Sequence, residues 1–215
     1  MTWVATDDFD SYTIGASLSG ASGGSGWTGN WTIVSGAWNA QAAPAGGQGG
    51  NAARATPGNQ RLSRTFTGVL TEVVKWRMLC TVTNPDAFTG VILFSGGAGL
   101  MSITFGADGN LKIYDNTLTY TTLQAYSANT WYTITVDFVE ATDKYRAKID
   151  AGAYSAFYDG DNTWDGASPV NLIELRSQST NATFWFDDVG PEPATPPISN
   201  QPETLHVIRS GIRLR

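Results

Sequence analysis

The sequence predicts an all-β protein, an antiparallel two-sheet sandwich of the jelly-roll type that ends in an extended C-terminal arm. The first observation is composition, because 24 glycines and 8 Trp, 8 Tyr and 9 Phe in 215 residues, with only 15% charged residues, are typical of a β protein rich in turns. The second is the frequent alternation of apolar and polar residues with the period of a strand. The third is the regular recurrence of Gly, Asn and Asp between these stretches, which favours many short strands and tight turns.

The alternation is clearest in residues 131–150, which predict two strands joined as an antiparallel hairpin by the short polar connection Val139–Lys144. Every second residue of each strand is apolar, and we expect these side chains to be buried. They are Tyr132, Ile134, Val136 and Phe138 in the first strand, and Tyr145, Ala147 and Ile149 in the second.

A longer strand is predicted over Leu70–Val82, and Cys80 falls on its apolar face as a buried core thiol. The segment Asn39–Gln60, rich in Gly, Ala and Gln, is predicted to be a long surface loop. Residues 107–110 predict a turn. The remaining strands are predicted at Trp31–Ser35, Arg61–Phe66, Val91–Phe94, Met101–Phe105, Leu111–Tyr114, Leu172–Arg176 and Phe184–Val189.

The chain divides into a sandwich over residues 1–190, a proline-rich linker over residues 191–203 and a basic arm over residues 204–215. Five prolines within Pro191–Pro202 keep the linker extended. The arm is too short to form a core and too apolar to remain in water, so we expect it to add a strand to another copy of the chain or to a capsid or tail protein. Its expected partner-binding residues are Leu205, Val207, Ile208, Arg209, Ile212, Arg213, Leu214 and Arg215.

Charge and hydropathy exclude some functions. The arm holds three of the 13 basic residues, which leaves residues 1–205 with 10 bases against 19 acids, and such a body repels a phosphate backbone. Nucleic-acid binding is therefore not expected. The N-terminus has no signal peptide and no apolar run is long enough to span a membrane, so the chain is expected to be made in a host cytoplasm.

Several segments resemble the concanavalin A-like lectin/glucanase superfamily, in particular its laminin-G-like jelly-roll branch. They are ITFGADGNLKIYDN (Ile103–Asn116), YSANTWYTITVDFVEATDKYRAKIDAG (Tyr126–Gly152), DDFDSY (Asp7–Tyr12), GWTGNWTIVSGAW (Gly26–Trp38) and FWFDDVG (Phe184–Gly190). The resemblance covers about residues 7–190 and implies a jelly roll with its first and last strands side by side. It leaves function open, since such domains include lectins, hydrolases, adhesins and viral surface proteins.

No catalytic set stands out, so we expect the protein not to be an enzyme. Members that resemble laminarinases carry E-x-D-x-x-E on one strand, whereas the five glutamates here are scattered and none has an Asp two residues on. The single histidine, His206, lies in the arm, remote in sequence from any serine and aspartate that could complete a triad.

Two acidic clusters offer the oxygen ligands that calcium needs. One combines the N-terminal and C-terminal strands of the sandwich, and the other is the loop Asp159–Gly166, which begins like an EF-hand but lacks its glycine and its final glutamate. The alternative is that the carboxylates accept hydrogen bonds from turn N–H groups. The candidate ligands of the first cluster are Asp7, Asp8, Asp10, Asp187 and Asp188.

Aromatic side chains in or beside loops could stack on sugar rings at the rim of the sandwich, although aromatics at this density also serve as core or interface anchors. The candidate carbohydrate-binding residues are Trp27, Trp31, Tyr126 and Trp164; Trp38, Tyr120 and Tyr158 also lie in or beside such loops.

The sequence is compatible with two functions. The first is a non-enzymatic assembly protein of a phage-type virion surface, a capsid-decoration protein whose arm docks on neighbouring subunits. The second is a carbohydrate-binding, lectin-like adhesion module that recognises cell-surface glycan.

Overall fold

A computed structural model shows the fold, and the structure describes residues 4–46, 49–69, 73–114, 119–139, 144–159 and 170–191. These residues form fourteen β-strands and no helix, so they include no helix that could cross a membrane. The predicted linker and arm lie outside them beyond Pro191. The strands are β1 (Thr32–Ser35), β2 (Trp38–Ala42), β3 (Asn51–Ala55), β4 (Gln60–Val69), β5 (Val73–Cys80), β6 (Thr89–Ser95), β7 (Ala98–Phe105), β8 (Asn110–Tyr114), β9 (Tyr120–Ala125), β10 (Tyr132–Val139), β11 (Lys144–Ile149), β12 (Tyr158–Asp159), β13 (Val170–Ser177) and β14 (Phe184–Pro191).

The strands form two antiparallel sheets of seven strands each, which confirms the predicted sandwich. Sheet 1 has the order β1-β4-β13-β6-β7-β8-β9, and sheet 2 has the order β12-β11-β10-β5-β14-β3-β2. Hairpins such as β6–β7, β7–β8 and β10–β11 lie side by side, whereas β4 pairs with β13 and β5 with β14, which are far apart in the chain. The resulting jelly roll depends on these long-range pairs.

The core lies between the sheets and is filled by the inward residues of each strand. Tyr132, Ile134, Val136 and Phe138 of β10 are all buried, as the alternation predicts. The thiol of Cys80 on β5 is also buried, and burial raises its pKa to about 11. The largest fully buried side chains are Trp31, Trp38, Trp76, Tyr145, Phe9, Phe105, Phe184, Phe186, Leu18, Leu62 and Met78.

The predicted surface loop over Asn39–Gln60 is wrong, because this segment supplies β2 and β3 and pairs β3 with β14. Its alanines explain the difference, since Ala40, Ala53 and Ala55 are fully buried. Small side chains let these strands lie against the bulky rings of the core. Alanine-rich strands carry a weak β signal in sequence, and the strands β9 and β12 were likewise not predicted.

One end of the sandwich is held by a buried ion pair between Asp7 and Arg64. The backbone of Asp7 pairs with Val189 of β14 in sheet 2, through N–O distances of 2.9 and 3.0 Å. Its carboxylate accepts hydrogen bonds from Arg64 of β4 in sheet 1 at 2.7 Å, from the Tyr12 hydroxyl at 2.7 Å and from the Trp31 indole at 2.9 Å. The two charged side chains are at most 2% exposed, so Asp7 joins both sheets in a dry site.

Aromatic rings enclose this pair. The Arg64 guanidinium lies 4.6 Å from the ring centroid of Trp27 and 5.5 Å from that of Trp31. Arg64 also donates to the carbonyl oxygens of Gly23 and Gly29, both at 2.8 Å. Burial and the negative charge of Asp7 raise the pKa of the Tyr12 hydroxyl, which therefore stays a proton donor.

Substitution of Asp7 with Asn should destabilise the fold strongly. The variant leaves the Arg64 charge buried without its counter-charge, and the loss of one partner of such a pair costs about 3–5 kcal/mol. Urea unfolding of Asp7→Asn measures the loss. Asp8→Asn, one residue away and exposed, is the matched control and should unfold at the wild-type midpoint. Equal midpoints for both variants would contradict the structural role of the pair.

Candidate functional site

The five aspartates of the predicted calcium site lie near one another but have partners within the protein. Asp7 is held by Arg64, Asp8 accepts the N–H of Asp10 at 3.2 Å, and Asp10 accepts the N–H of Asn51 at 2.7 Å. Asp188 pairs with Arg77 at 3.5 Å. Across the described residues, no three acidic, His or Cys side chains form a group that could hold a metal ion. The calcium site stays a prediction from sequence, and most of the loop Asp159–Gly166 lies outside the described residues.

Asp187 differs from the other aspartates because it is only 1% exposed. Burial, followed by the negative charge of Asp188, raises the pKa of its carboxyl group to about 8. The N–H of Asp188, which donates to Asp187 at 2.9 Å, and the positive charge of Arg77 oppose the shift without cancelling it. At neutral pH the native protein therefore keeps a proton on Asp187.

The raised pKa of Asp187 predicts a pH dependence of stability. Between about pH 4 and pH 8 the unfolded chain releases this proton while the native state keeps it, so the free energy of unfolding falls as pH rises. Asp187→Asn removes this dependence and should be more stable than wild type by roughly a few kcal/mol at pH 8. Thermal or urea unfolding from pH 4 to 8 measures it, with Asp8→Asn as the control. A stability difference that stays constant over this range would show that Asp187 is ionised in the native state.

The aromatic residues proposed for the rim are mostly internal. Trp31 is fully buried and Tyr126 is 6% exposed, so neither presents a ring face to a ligand in solution. Trp27 is partly buried and donates its indole N–H to the carbonyl of Thr6 at 3.0 Å. Trp164 lies outside the described residues. Tyr120, which the sequence analysis also places in or beside a loop, is 44% exposed and lies on the outer face of sheet 1.

A groove runs across the outer face of sheet 1, and we call it the sheet-1 groove. Its central depression is about 370 Å³ and adjoins a second of about 420 Å³ at Phe94 and a third at Phe88 and Tyr120. The groove thus crosses the strands from β4 to β9, roughly 24 Å at the usual strand spacing. The central depression is lined by Phe88, Ile92, Phe94, Gly99, Met101, Ser102, Tyr114, Tyr120, Arg176 and Gln178.

Strand register explains the shape of the sheet-1 groove. Ile92 of β6 is opposite Ser102 of β7, Ser102 is opposite Tyr114 of β8, and Tyr114 is opposite Tyr120 of β9. Side chains opposite each other share a face, so a small serine lies between an aliphatic side chain and a tyrosine pair. Gly99 of β7, opposite Phe94, adds no side chain. The small residues of β7 form a floor between two taller walls.

The wall on β8 and β9 is an aromatic pair. The ring centroids of Tyr114 and Tyr120 are 4.9 Å apart at an interplanar angle of 48°. Partial burial and then the neighbouring Tyr114 raise the pKa of Tyr120, while the positive charge of Arg176 acts in the opposite direction. The Tyr120 phenol is therefore protonated at neutral pH and can donate a hydrogen bond.

On the other wall, β13 and β4 carry a charged network centred on Glu174. The Glu174 side chain is 4% exposed and accepts hydrogen bonds from Nε of Arg61 at 3.1 Å and from Nη2 of Arg61 at 2.7 Å. Nε of Arg176 donates to the same carboxylate at 2.6 Å. These contacts fix both guanidinium groups in place at the groove.

Sequence reasoning missed this groove because it searched the loops for aromatics. The alternation of β8 contained the signal, since buried Leu111 and Ile113 put Lys112 and Tyr114 on the opposite, outer face. The pairing of β13 with both β4 and β6, which brings Arg61, Glu174 and Phe94 together, has no signal in a single sequence.

Comparison with known proteins identifies solved structures that share the fold of this chain. A scan against protein-family models finds no match, and a search of curated proteins finds none either. Solved structures do match: a sialidase superposes with a TM-score of 0.60 at 11% identity, covering 75% of this chain and 17% of the sialidase. The binding domain of botulinum neurotoxin serotype D superposes with a TM-score of 0.53 at 15% identity, covering 85% of this chain and 48% of that one.

A further match is a structure of botulinum neurotoxin type C, whose cell entry is dependent upon interaction with two ganglioside molecules. It superposes with a TM-score of 0.53 at 14% identity, covering 81% of this chain and 46% of that chain. This chain thus spans about half or less of the length of these three proteins. At such identities the matches establish a shared β-sandwich fold and nothing about the site.

Proposed function

We propose that the protein is a carbohydrate-binding, lectin-like module and that the sheet-1 groove is its binding site. The observation that carries this proposal is the pair of the exposed Tyr120 and the partly buried Tyr114, which lies beside Gly99 and Ser102. Ligand sites are typically concave and apolar with a few fixed polar groups, and this groove combines aromatic rings with arginine donors that Glu174 holds in place. Its length across several strands suits an extended oligosaccharide.

The structural matches support this proposal at the level of the fold. They include a sialidase and the binding domain of a botulinum neurotoxin, and the cell entry of botulinum neurotoxin type C is dependent upon interaction with two ganglioside molecules. Of the two functions that the sequence allows, these matches favour the carbohydrate-binding module over capsid decoration. The virion location and the docking of the arm stay predictions, since residues 192–215 lie outside the described part of the chain.

The groove also supports binding rather than hydrolysis. Two carboxyl groups flank the scissile bond in most glycosidases. Among the described residues two carboxylates line the groove, Glu174 and Asp86, and they lie in different depressions. Arginines hold both oxygens of Glu174, and Asp86 accepts hydrogen bonds from the N–H and the hydroxyl of Thr180. The non-enzymatic function therefore remains part of the proposal, and a release of reducing sugar from a polysaccharide would contradict it.

Substitution of Tyr120 with Ala should weaken glycan binding about tenfold. The loss of an aromatic contact is of the order of 1 kcal/mol or somewhat more, and 1.4 kcal/mol corresponds to a factor of ten in the dissociation constant. A glycan array followed by calorimetry with the best oligosaccharide measures the change.

Phe157→Ala is the matched control for this experiment. Phe157 is also aromatic and 44% exposed, but it follows β11 at sheet 2. Its substitution should leave the dissociation constant unchanged. Equal losses in both variants, or a loss in the control alone, would place the site elsewhere.

A further inference from the structure

We propose that the sheet-1 groove selects acidic saccharides and that Arg176 is the residue that recognises their anionic group, a carboxylate or a sulfate. This inference rests on the proposed carbohydrate-binding function and names its ligand class. It begins from the charges on the wall of the groove.

Two arginines share a single carboxylate at this wall. Arg61 and Arg176 both donate to Glu174, and the Glu174 side chain is 4% exposed. The three groups together carry one net positive charge. An arginine is charged at every physiological pH, so this excess is permanent.

The network also leaves donors free for a ligand. A guanidinium has five N–H groups, and Arg176 uses those of Nε and Nη2 for Glu174. Within the described residues, the Nη1 group of Arg176 has no acceptor. Its side chain is 24% exposed and lines the central depression, so these donors reach a ligand without a change in the fold.

The position of Arg176 fits recognition of a bound sugar. Arg176 and the Tyr114–Tyr120 pair line the same central depression, Arg176 from β13 and the tyrosines from β8 and β9, with β6 and β7 between them. A sugar ring against Tyr120 would present a carboxylate or sulfate to Arg176. Guanidinium groups pair with planar carboxylates and with other oxyanions through two parallel hydrogen bonds, which gives geometric specificity as well as affinity.

The rest of the molecule strengthens this selectivity. Residues 1–205 carry 10 basic and 19 acidic residues, so an acidic glycan is repelled by most of the surface. The other basic side chain that lines the groove, Lys112, pairs with Asp108 at 2.9 Å. The third depression also holds Asp86, whose carboxylate accepts hydrogen bonds from the N–H and the hydroxyl of Thr180. The net positive charge of the central depression and of the one that adjoins it at Phe94 therefore lies at Arg176 and Arg61.

The test is a glycan array of matched pairs that differ only in charge. The pairs are oligogalacturonate and its methyl ester, a sialylated lactosamine and the same lactosamine without sialic acid, and a sulfated and an unsulfated galactan oligosaccharide. Wild type should bind the acidic member of at least one pair about tenfold more tightly. The carboxylate and sulfate pairs identify which anion is recognised, and binding should weaken as the salt concentration rises.

Arg176→Gln should abolish this preference, and Arg176→Lys, which keeps the charge, should retain part of it. Glu174 keeps both hydrogen bonds to Arg61 in these variants, so the fold should persist, and thermal unfolding checks it. Arg54→Gln is the matched control, because it removes the same charge from β3 in sheet 2, where Arg54 lies over Trp185.

The outcomes separate the two proposals. Failure of wild type to bind any glycan would overturn the proposed function and this inference with it. Binding of neutral glycans that is lost in Tyr120→Ala but unchanged in Arg176→Gln would keep the function and overturn the acidic specificity. An equal effect of Arg54→Gln and Arg176→Gln would show that overall charge, not Arg176, sets the preference.

Discussion

The ion pair between Asp7 and Arg64 is the contact on which the two-sheet arrangement depends. Asp7 belongs by its backbone to the edge of β14 and by its side chain to β4, so one residue connects sheet 2 to sheet 1. The desolvation of both charges is costly, and it is offset because Tyr12, Trp31 and backbone carbonyls complete the hydrogen bonds. The rings of the fully buried Trp31 and the partly buried Trp27 shield the charged pair from water.

The inner faces of both sheets are filled by the core, and the outer faces differ from each other. On sheet 2 the outer side chains stack on one another: Arg77 lies 5.1 Å from the Trp131 ring and Arg54 lies 5.7 Å from the Trp185 ring. On sheet 1 the centre of the face has Gly99 and Ser102, and the space above them is open. The same alternation that fills the core therefore creates a groove on one side and a covered surface on the other.

The fold was predictable because the alternation of apolar and polar residues is a local signal. In β10, for example, the apolar residues at every second position from Tyr132 to Phe138 are all buried. The site was less predictable because it depends on which strands become neighbours. Trp31 looked like a loop aromatic, yet its burial depends on Asp7 and on Arg64, which is 33 residues away along the chain. In the sequence Glu174 is one of five scattered glutamates. Only the pairing of β13 with β4 shows that its carboxylate holds two arginines at the groove.

The most direct measurement of the binding site is hydrogen–deuterium exchange of the full chain with and without a saturating oligosaccharide chosen from the array. A ligand in the sheet-1 groove should slow exchange of amides in β6, β7, β8 and β9, because it covers the outer face of these strands and restricts their local opening. The amides of β2 and β3 at the edge of sheet 2 should exchange at their unliganded rates. Slower exchange confined to sheet 2, or to residues 7–31 at the end of the sandwich, would contradict the assignment of the groove as the carbohydrate site.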